Sequence, residues 1–375
     1  MIPLNTNLDG LTYSAIRRFT NLAKQTPGCA MLTLGEPDFA TPPEIVRAGM
    51  EALRQGRTHY APNWGTDELR QDIAAFETAR GMPCDPSQVL VTAGATGALF
   101  TLLLGVLNPG DEVIIPTPAF SLYESIVTVA GARSVFLDTT PGGYQIPREE
   151  LERRITDRTK AIIINSPNNP TGCIYSRESL MAVRDLALKH GFYVVCDNVY
   201  SQLSYGPCPD LTLCGELREQ LFLCQSFSKP YAMTGWRVGY LIGPGKIMER
   251  LLLLHAAELA CVPTFVQDAC RVALKTDVSA MRESYRVRRG YVCRRLEEMG
   301  LPFTEPMGAF YVFPQISQFG LPDEDFCTRS IREGGVAVTP GTCFRGEGHI
   351  RISYCYSPEE LETSLNRLEQ FIHTL

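Results

Sequence analysis

The 375-residue sequence lacks an excess of positive charge. Its net charge is −6 and its pI about 5.5, which argues against a nucleic-acid-binding surface. It lacks an apolar run long enough to cross a bilayer. The run "LLLL" at 251–254 is flanked by Glu249, Arg250, His255 and Glu258 and reads as a buried helix face. Its opening, "MIPLNTNLDG", has neither a basic region nor an apolar core, so no signal peptide is expected. It lacks any C-x-x-C pair, although it holds 13 cysteines. Scattered and odd in number, they argue against a zinc site and a disulfide framework, and for the reducing cytoplasm. No G-x-G-x-x-G dinucleotide fingerprint, internal repeat or low-complexity linker is present.

What is present is ordinary globular composition, 45% apolar and 20% charged, in a chain long enough for two domains. From 88 to 243, short β-branched runs alternate with helical stretches. The runs are "QVLVTAG", "EVIIP", "RSVFLDT", "KAIIINS", "FYVVCD", "LFLCQS" and "VGYLIG". Continuous apolar character predicts strands buried on both faces. The alternation predicts an α/β fold: a large domain whose mostly parallel sheet is flanked by helices. After Pro244 the texture changes to long helices and then to "AFYVFPQI", "GVAVTPG" and "HIRISYCY", which read as a smaller α+β domain. The expected division is an arm and start of the small domain at 1–42, a large domain at 43–275 and a small domain at 276–375.

In open α/β sheets, ligands bind beyond the carboxyl ends of the strands. The residues found there are chemically varied. Ala95, Thr96 and Gly97 open a helix after the first run, where backbone N–H groups can meet an anion. Phe120 and Tyr123 follow the second. Asn168, Asn169 and Thr171 follow the fourth, in a strong turn signal. Asp197, Asn198 and Tyr200 follow the fifth. An acid at the end of a buried strand is costly unless paired, although a helix cap or a surface loop would also explain Asp197. Ser226, Ser228 and Lys229 follow the sixth, in "SFSKPYAMTGWRVGY", which continues to Arg237. An anion cradle, an aromatic plate, an amide, an acid, a phenol and a lysine on one edge suit pyridoxal 5′-phosphate, which needs all of them.

Seven stretches then carry a resemblance: "LTLGEPDFATPPEI", "HYAPNWGTDELR", "TAGATGAL", "NSPNNPTG", "DNVY", "SFSKPYAMTGWRVGY" and "HIRISY". In order and spacing the chain resembles, nearly end to end, the class I/II aminotransferases of the fold-type-I pyridoxal-phosphate enzymes. The resemblance implies that Lys229 is the covalent anchor and proton shuttle, and that Asp197 holds the ring nitrogen protonated. It implies that Asn169 and Tyr200 bond the ring 3′-oxygen and that Phe120 stacks on the ring. Ala95, Thr96, Ser226, Ser228 and Arg237 would hold the phosphate. Arg351, assisted by Gly35 and Asn169, would hold the substrate α-carboxylate. By alternation alone, Arg351 between Ile350 and Ile352 is expected to face solvent. Tyr60 would reach the phosphate of a neighbouring subunit, which implies a homodimer with shared sites. The loop at "GEPDFATP" would wall the pocket and act as a hinge.

Some members of the family specific for acidic substrates carry a Lys at the Thr96 position, and this chain does not. Arg17 and Arg18 are candidates for a distal carboxylate, with exposed helix charge as the alternative. The implied reaction is ping-pong transfer of an amino group between an L-amino acid and a 2-oxo acid. A β-lyase on the same fold would share these residues. A non-catalytic cofactor-binding regulator ranks last, because such proteins join the fold to a helix-turn-helix, and only a short arm is expected here.

Overall fold

A computed structural model describes residues 4–11 and 15–375. Helix α1 (Ala15–Gln25), strand β1 (Ala30–Met31), α2 (Pro43–Arg54) and α3 (Asp67–Ala79) come first. The alternating segment follows: β2 (Val89–Thr92), α4 (Gly94–Val106), β3 (Glu112–Thr117), α5 (Leu122–Val129), β4 (Arg133–Asp138), α6 (Arg148–Arg154), β5 (Thr159–Asn165), α7 (Arg177–His190), β6 (Tyr193–Asp197), β7 (Leu221–Ser226) and β8 (Gly239–Ile242). Then come α8 (Gly245–Glu258), α9 (Thr264–Ala273), α10 (Ser279–Glu298), β9 (Tyr311–Val312), α11 (Asp323–Arg332), β10 (Val336–Ala337), β11 (Thr339–Pro340), β12 (Ile350–Ser353) and α12 (Pro358–Ile372).

All seven runs read as strands from sequence are strands of one sheet, ordered β2-β8-β7-β6-β5-β3-β4. Its pairings are parallel except those of β8, which is antiparallel to both β2 and β7. Every residue of β2, β3, β7 and β8 is buried, as continuous apolar runs require. The edge strand β4 is only partly covered. Helix ends follow local chemistry. Ser176 caps α7 by accepting the Ser179 N–H, and Gly191 ends it in the left-handed region at φ 75°.

Two groups of cores hold the chain. Around the sheet, Leu102 and Phe222 pack with Met248 and Leu251 of α8, and Leu223 and Tyr240 with Val266 and Ala269 of α9. The change of texture at Pro244 is therefore not a change of core. A separate core gathers Phe19, Leu32, Tyr285, Val292, Ile352 and Leu365 around a three-stranded antiparallel sheet, β11-β12-β9. Burying each such side chain contributes about 1.5–3 kcal/mol. Tyr200 and Leu203, in the loop after β6, belong to this second core, so that loop is clamped between the two bodies.

Candidate active site

Strand direction builds the site. The parallel strands β3, β5, β6 and β7 bring their carboxyl ends to one edge, and β2 shares their direction. Because β8 runs the other way, its first residue, Gly239, pairs with both Thr92 and Ser226. Arg237, just before β8, is thereby delivered to the edge where Ala93, Asp197 and Ser226 end or follow their strands. A cavity of about 300 Å³ lies there. Ala95, Thr96, Phe120, Asn169, Asp197, Tyr200, Ser226, Ser228, Lys229, Arg237, Gly35 and Arg351 all line it. Tyr60 does not; it is 90% exposed.

One end of the cavity is built for an anion. Helix α4 has no side-chain cap, so its first N–H groups and its dipole are open to a ligand. A Cβ at Gly239 would lie 2.8 Å from the Ala95 nitrogen and 2.4 Å from the Gln225 carbonyl oxygen. Only glycine lets β8 pass this close to the helix start. Gly94 has φ +72°, and a Cβ there would meet Arg237 Nη2 at 3.0 Å. Arg237 donates from Nη1 to the Thr234 carbonyl at 2.9 Å, and no carboxylate pairs with it among the described residues. The Ser226 hydroxyl accepts the Ser228 N–H at 3.0 Å.

The middle of the cavity holds Asp197 and Lys229. Asp197 is 4% exposed, which rules out the surface-loop reading, and its Oδ1 accepts the Val199 N–H at 3.4 Å. Its Oδ2 accepts the Tyr123 hydroxyl at 2.6 Å, and no cation pairs with the carboxylate among the described residues. Burial pushes its pKa up to about 6, against the pull of the Tyr123 hydrogen bond. Lys229 donates to the Gly35 carbonyl at 2.5 Å. Burial brings its pKa down to about 8, and the nearby Arg351 and Arg237 act in the same direction. A lysine with that pKa holds far more neutral amine near pH 8 than an exposed one does.

At the far end, Arg351 is 2% exposed. It faces the cavity rather than solvent. Its Nη1 donates to Asn169 Oδ1 at 2.9 Å and its Nη2 to the Thr33 carbonyl at 2.7 Å. The guanidinium lies over the Tyr311 and Phe344 rings, 4.6 and 4.8 Å from their centroids. Its Nε has no hydrogen-bond partner among the described residues. A buried guanidinium with no acid beside it is costly unless an anion completes it.

Sequence reasoning missed several lining residues. Asn165 ends β5 and is a positional candidate by the strand-end rule. It accepts the Asn169 N–H and donates to the Asp197 carbonyl, both at 2.9 Å. Tyr123, noted only as lying near the edge, is the hydrogen-bond partner of Asp197. Tyr311 comes from the second body, and its hydroxyl stands 2.9 Å from that of Tyr200. A Cβ at residue 35 would fall 2.1 Å from the same hydroxyl, which explains glycine there. Neither Arg17 nor Arg18 lines the cavity. Arg18 pairs with Glu324 at 2.5 Å and Arg17 is exposed beside a neighbouring cleft, so the reading as exposed helix charge stands.

Comparison with known proteins matches residues 28–368 to the family described as aminotransferase class I and II. Aromatic-amino-acid aminotransferase 2 of Thermococcus litoralis is 37% identical, covering 98% of each chain. A probable N-acetyl-LL-diaminopimelate aminotransferase of Bacillus subtilis is 36% identical over 98% of this chain and 95% of its own. The crystal structure of an aspartate aminotransferase from Thermotoga maritima superimposes with a TM-score of 0.95 at 35% identity, over 99% of this chain and 100% of that one. By family match, full-length similarity and shared fold, the chain belongs to the class I and II aminotransferases.

Proposed function

We propose that this chain moves an amino group between an L-amino acid and a 2-oxo acid, using pyridoxal 5′-phosphate held at the sheet edge. The observation that carries the reading is that three charged groups, Asp197, Lys229 and Arg351, line one cavity and, among the described residues, none is paired with an opposite charge. The donor set fits the cofactor. The uncapped start of α4, the Thr96, Ser226 and Ser228 hydroxyls and Arg237 would take the phosphate. Phe120 would cover the ring, and Asn169 and Tyr200 would hydrogen-bond its oxygen. When bound, the cofactor supplies an electron sink for charge developing at the substrate Cα.

The remaining work belongs to the chain. Asp197, as an anion, favours a proton on the ring nitrogen. Lys229, its ammonium destabilised by burial, is the covalent anchor and the base that carries a proton to and from Cα. Arg351 meets the substrate carboxylate with a planar fork, which suits a carboxylate better than a lysine point charge would. Asn169 orients that fork through its hydrogen bond.

The same reading makes the protein a cytoplasmic homodimer in amino-acid metabolism, with Tyr60 completing the neighbour's phosphate site. The exposure of Tyr60 and thirteen free cysteines support it. Buried residues of α10 and α12, Tyr285, Val292, Leu296, Leu361, Leu365 and Leu368, belong to the second core, which supports a division at 276. The reaction is tested by adding an amino acid without acceptor to the cofactor-loaded protein. We expect one 2-oxo acid released per site, with the cofactor left in its amine form. Ammonia release with the cofactor returned to its aldehyde level would assign β-elimination instead.

A further inference from the structure

We propose that Tyr311 is a positioning residue for Tyr200: its hydroxyl donates to the Tyr200 oxygen, which leaves the Tyr200 proton for the cofactor's ring oxygen, so that the second body sets the acidity of the loaded site. This rests on reading Tyr200 as the donor to that oxygen. The two hydroxyls stand 2.9 Å apart, and both tyrosines line the cavity. One proton serves the contact between them. Whichever hydroxyl donates it, the other keeps its own proton for a further acceptor.

Charge decides the direction. The Arg351 guanidinium lies 4.6 Å from the Tyr311 ring centroid. Burial pushes the Tyr311 hydroxyl up to about 12, and Arg351 pulls against that rise. At Tyr200 burial again leads, the neighbouring Tyr311 adds to it and Arg351 pulls back less, so that hydroxyl lies well above its ordinary value. The other titratable groups facing the pair are Asp197 and Tyr123 beside Tyr200, and Cys355 beside Tyr311. Lys229 lines the same cavity. Asp197 raises Tyr200 further. The phenol beneath the guanidinium is the stronger acid, and the stronger acid donates.

Main-chain contacts hold Tyr311 in place. It pairs on β9 with Ser353 of β12, two residues beyond Arg351. The stretch before β9 is pinned to the loops that carry Asn169 and Tyr200. The Gly172 carbonyl accepts the Met307 and Gly308 N–H groups at 2.8 and 3.0 Å, and the Leu203 carbonyl accepts the Ala309 N–H at 3.1 Å. The Tyr311 ring meets the Tyr200 ring edge-on, with centroids 5.7 Å apart. Its hydroxyl fills the space that Gly35 leaves open.

The test is the visible absorption of the cofactor-loaded protein, titrated against pH. A hydrogen bond from Tyr200 to the ring oxygen favours loss of the proton held at the Lys229 nitrogen. A hydroxyl that itself receives a hydrogen bond gives a stronger one. Tyr311→Phe should therefore raise the pH of the absorbance transition, by about half to one pH unit. Tyr200→Phe should raise it at least as far, and the double variant no further than Tyr200→Phe alone. Additive shifts in the double variant overturn the relay and leave the cofactor reading standing. So does an unmoved transition in Tyr311→Phe where Tyr200→Phe moves it. A wild-type protein with no visible band at any pH holds no cofactor, which overturns that reading and the relay with it.

Discussion

At Asp197, burial sets the chemistry before any ligand arrives. The carboxyl titrates at about 6 in the folded chain and near ~3.9 when unfolded. The folded state therefore holds the proton more tightly. Between those values the unfolded state loses its proton first, so this group makes the cofactor-free protein less stable as pH rises from about 4 to about 6. Asn keeps the shape and can still accept the Tyr123 hydroxyl, but it does not titrate. Asp197→Asn should gain on the order of 2–3 kcal/mol relative to wild type across that window, measured by urea unfolding of the cofactor-free proteins. Parallel pH profiles would mean that the carboxylate is not held under strain. A bound ring cation would remove the penalty, which is why a residue costly in the empty site can be useful in the loaded one. Arg351 is a similar case. Strand alternation pointed it to solvent, and the reading failed because β12 is buried on both faces. Its contacts with Asn169 and Thr33, from distant parts of the chain, turn it inward.

Among the elements, the strands of the central sheet were legible because burial on both faces leaves a continuous apolar run. The strand-end rule then brought most of the site together. Direction was not legible. Nothing in "VGYLIG" says that β8 runs against its neighbours, yet that reversal delivers Arg237 to the phosphate end. Strands of two residues, such as β1 and β9, are too short for any period to register. Tyr311, carried on β9, was missed for that reason. Tyr123 was visible as an aromatic near the edge, but its bond to Asp197 spans 74 residues and leaves no local trace.

The whole molecule adds a claim that no single subunit can carry. Tyr60 is 90% exposed although its segment, "HYAPNWGTDELR", is among those that resemble the family. If it completes a neighbour's site, mixing a Tyr60→Ala variant with a Lys229→Ala variant should restore wild-type sites in heterodimers and raise activity above either parent. Subunit exchange without such recovery would show that each site is made within one chain. The account as a whole depends on one atom, Lys229 Nζ, which burial holds partly neutral and which Gly35 positions. Reduction of the cofactor-loaded protein with borohydride, followed by peptide mapping, asks directly whether that amine holds the cofactor. The label should fall on the peptide containing Lys229 and be absent from Lys229→Ala. A label on any other lysine, or undiminished labelling of the variant, would contradict the site built here.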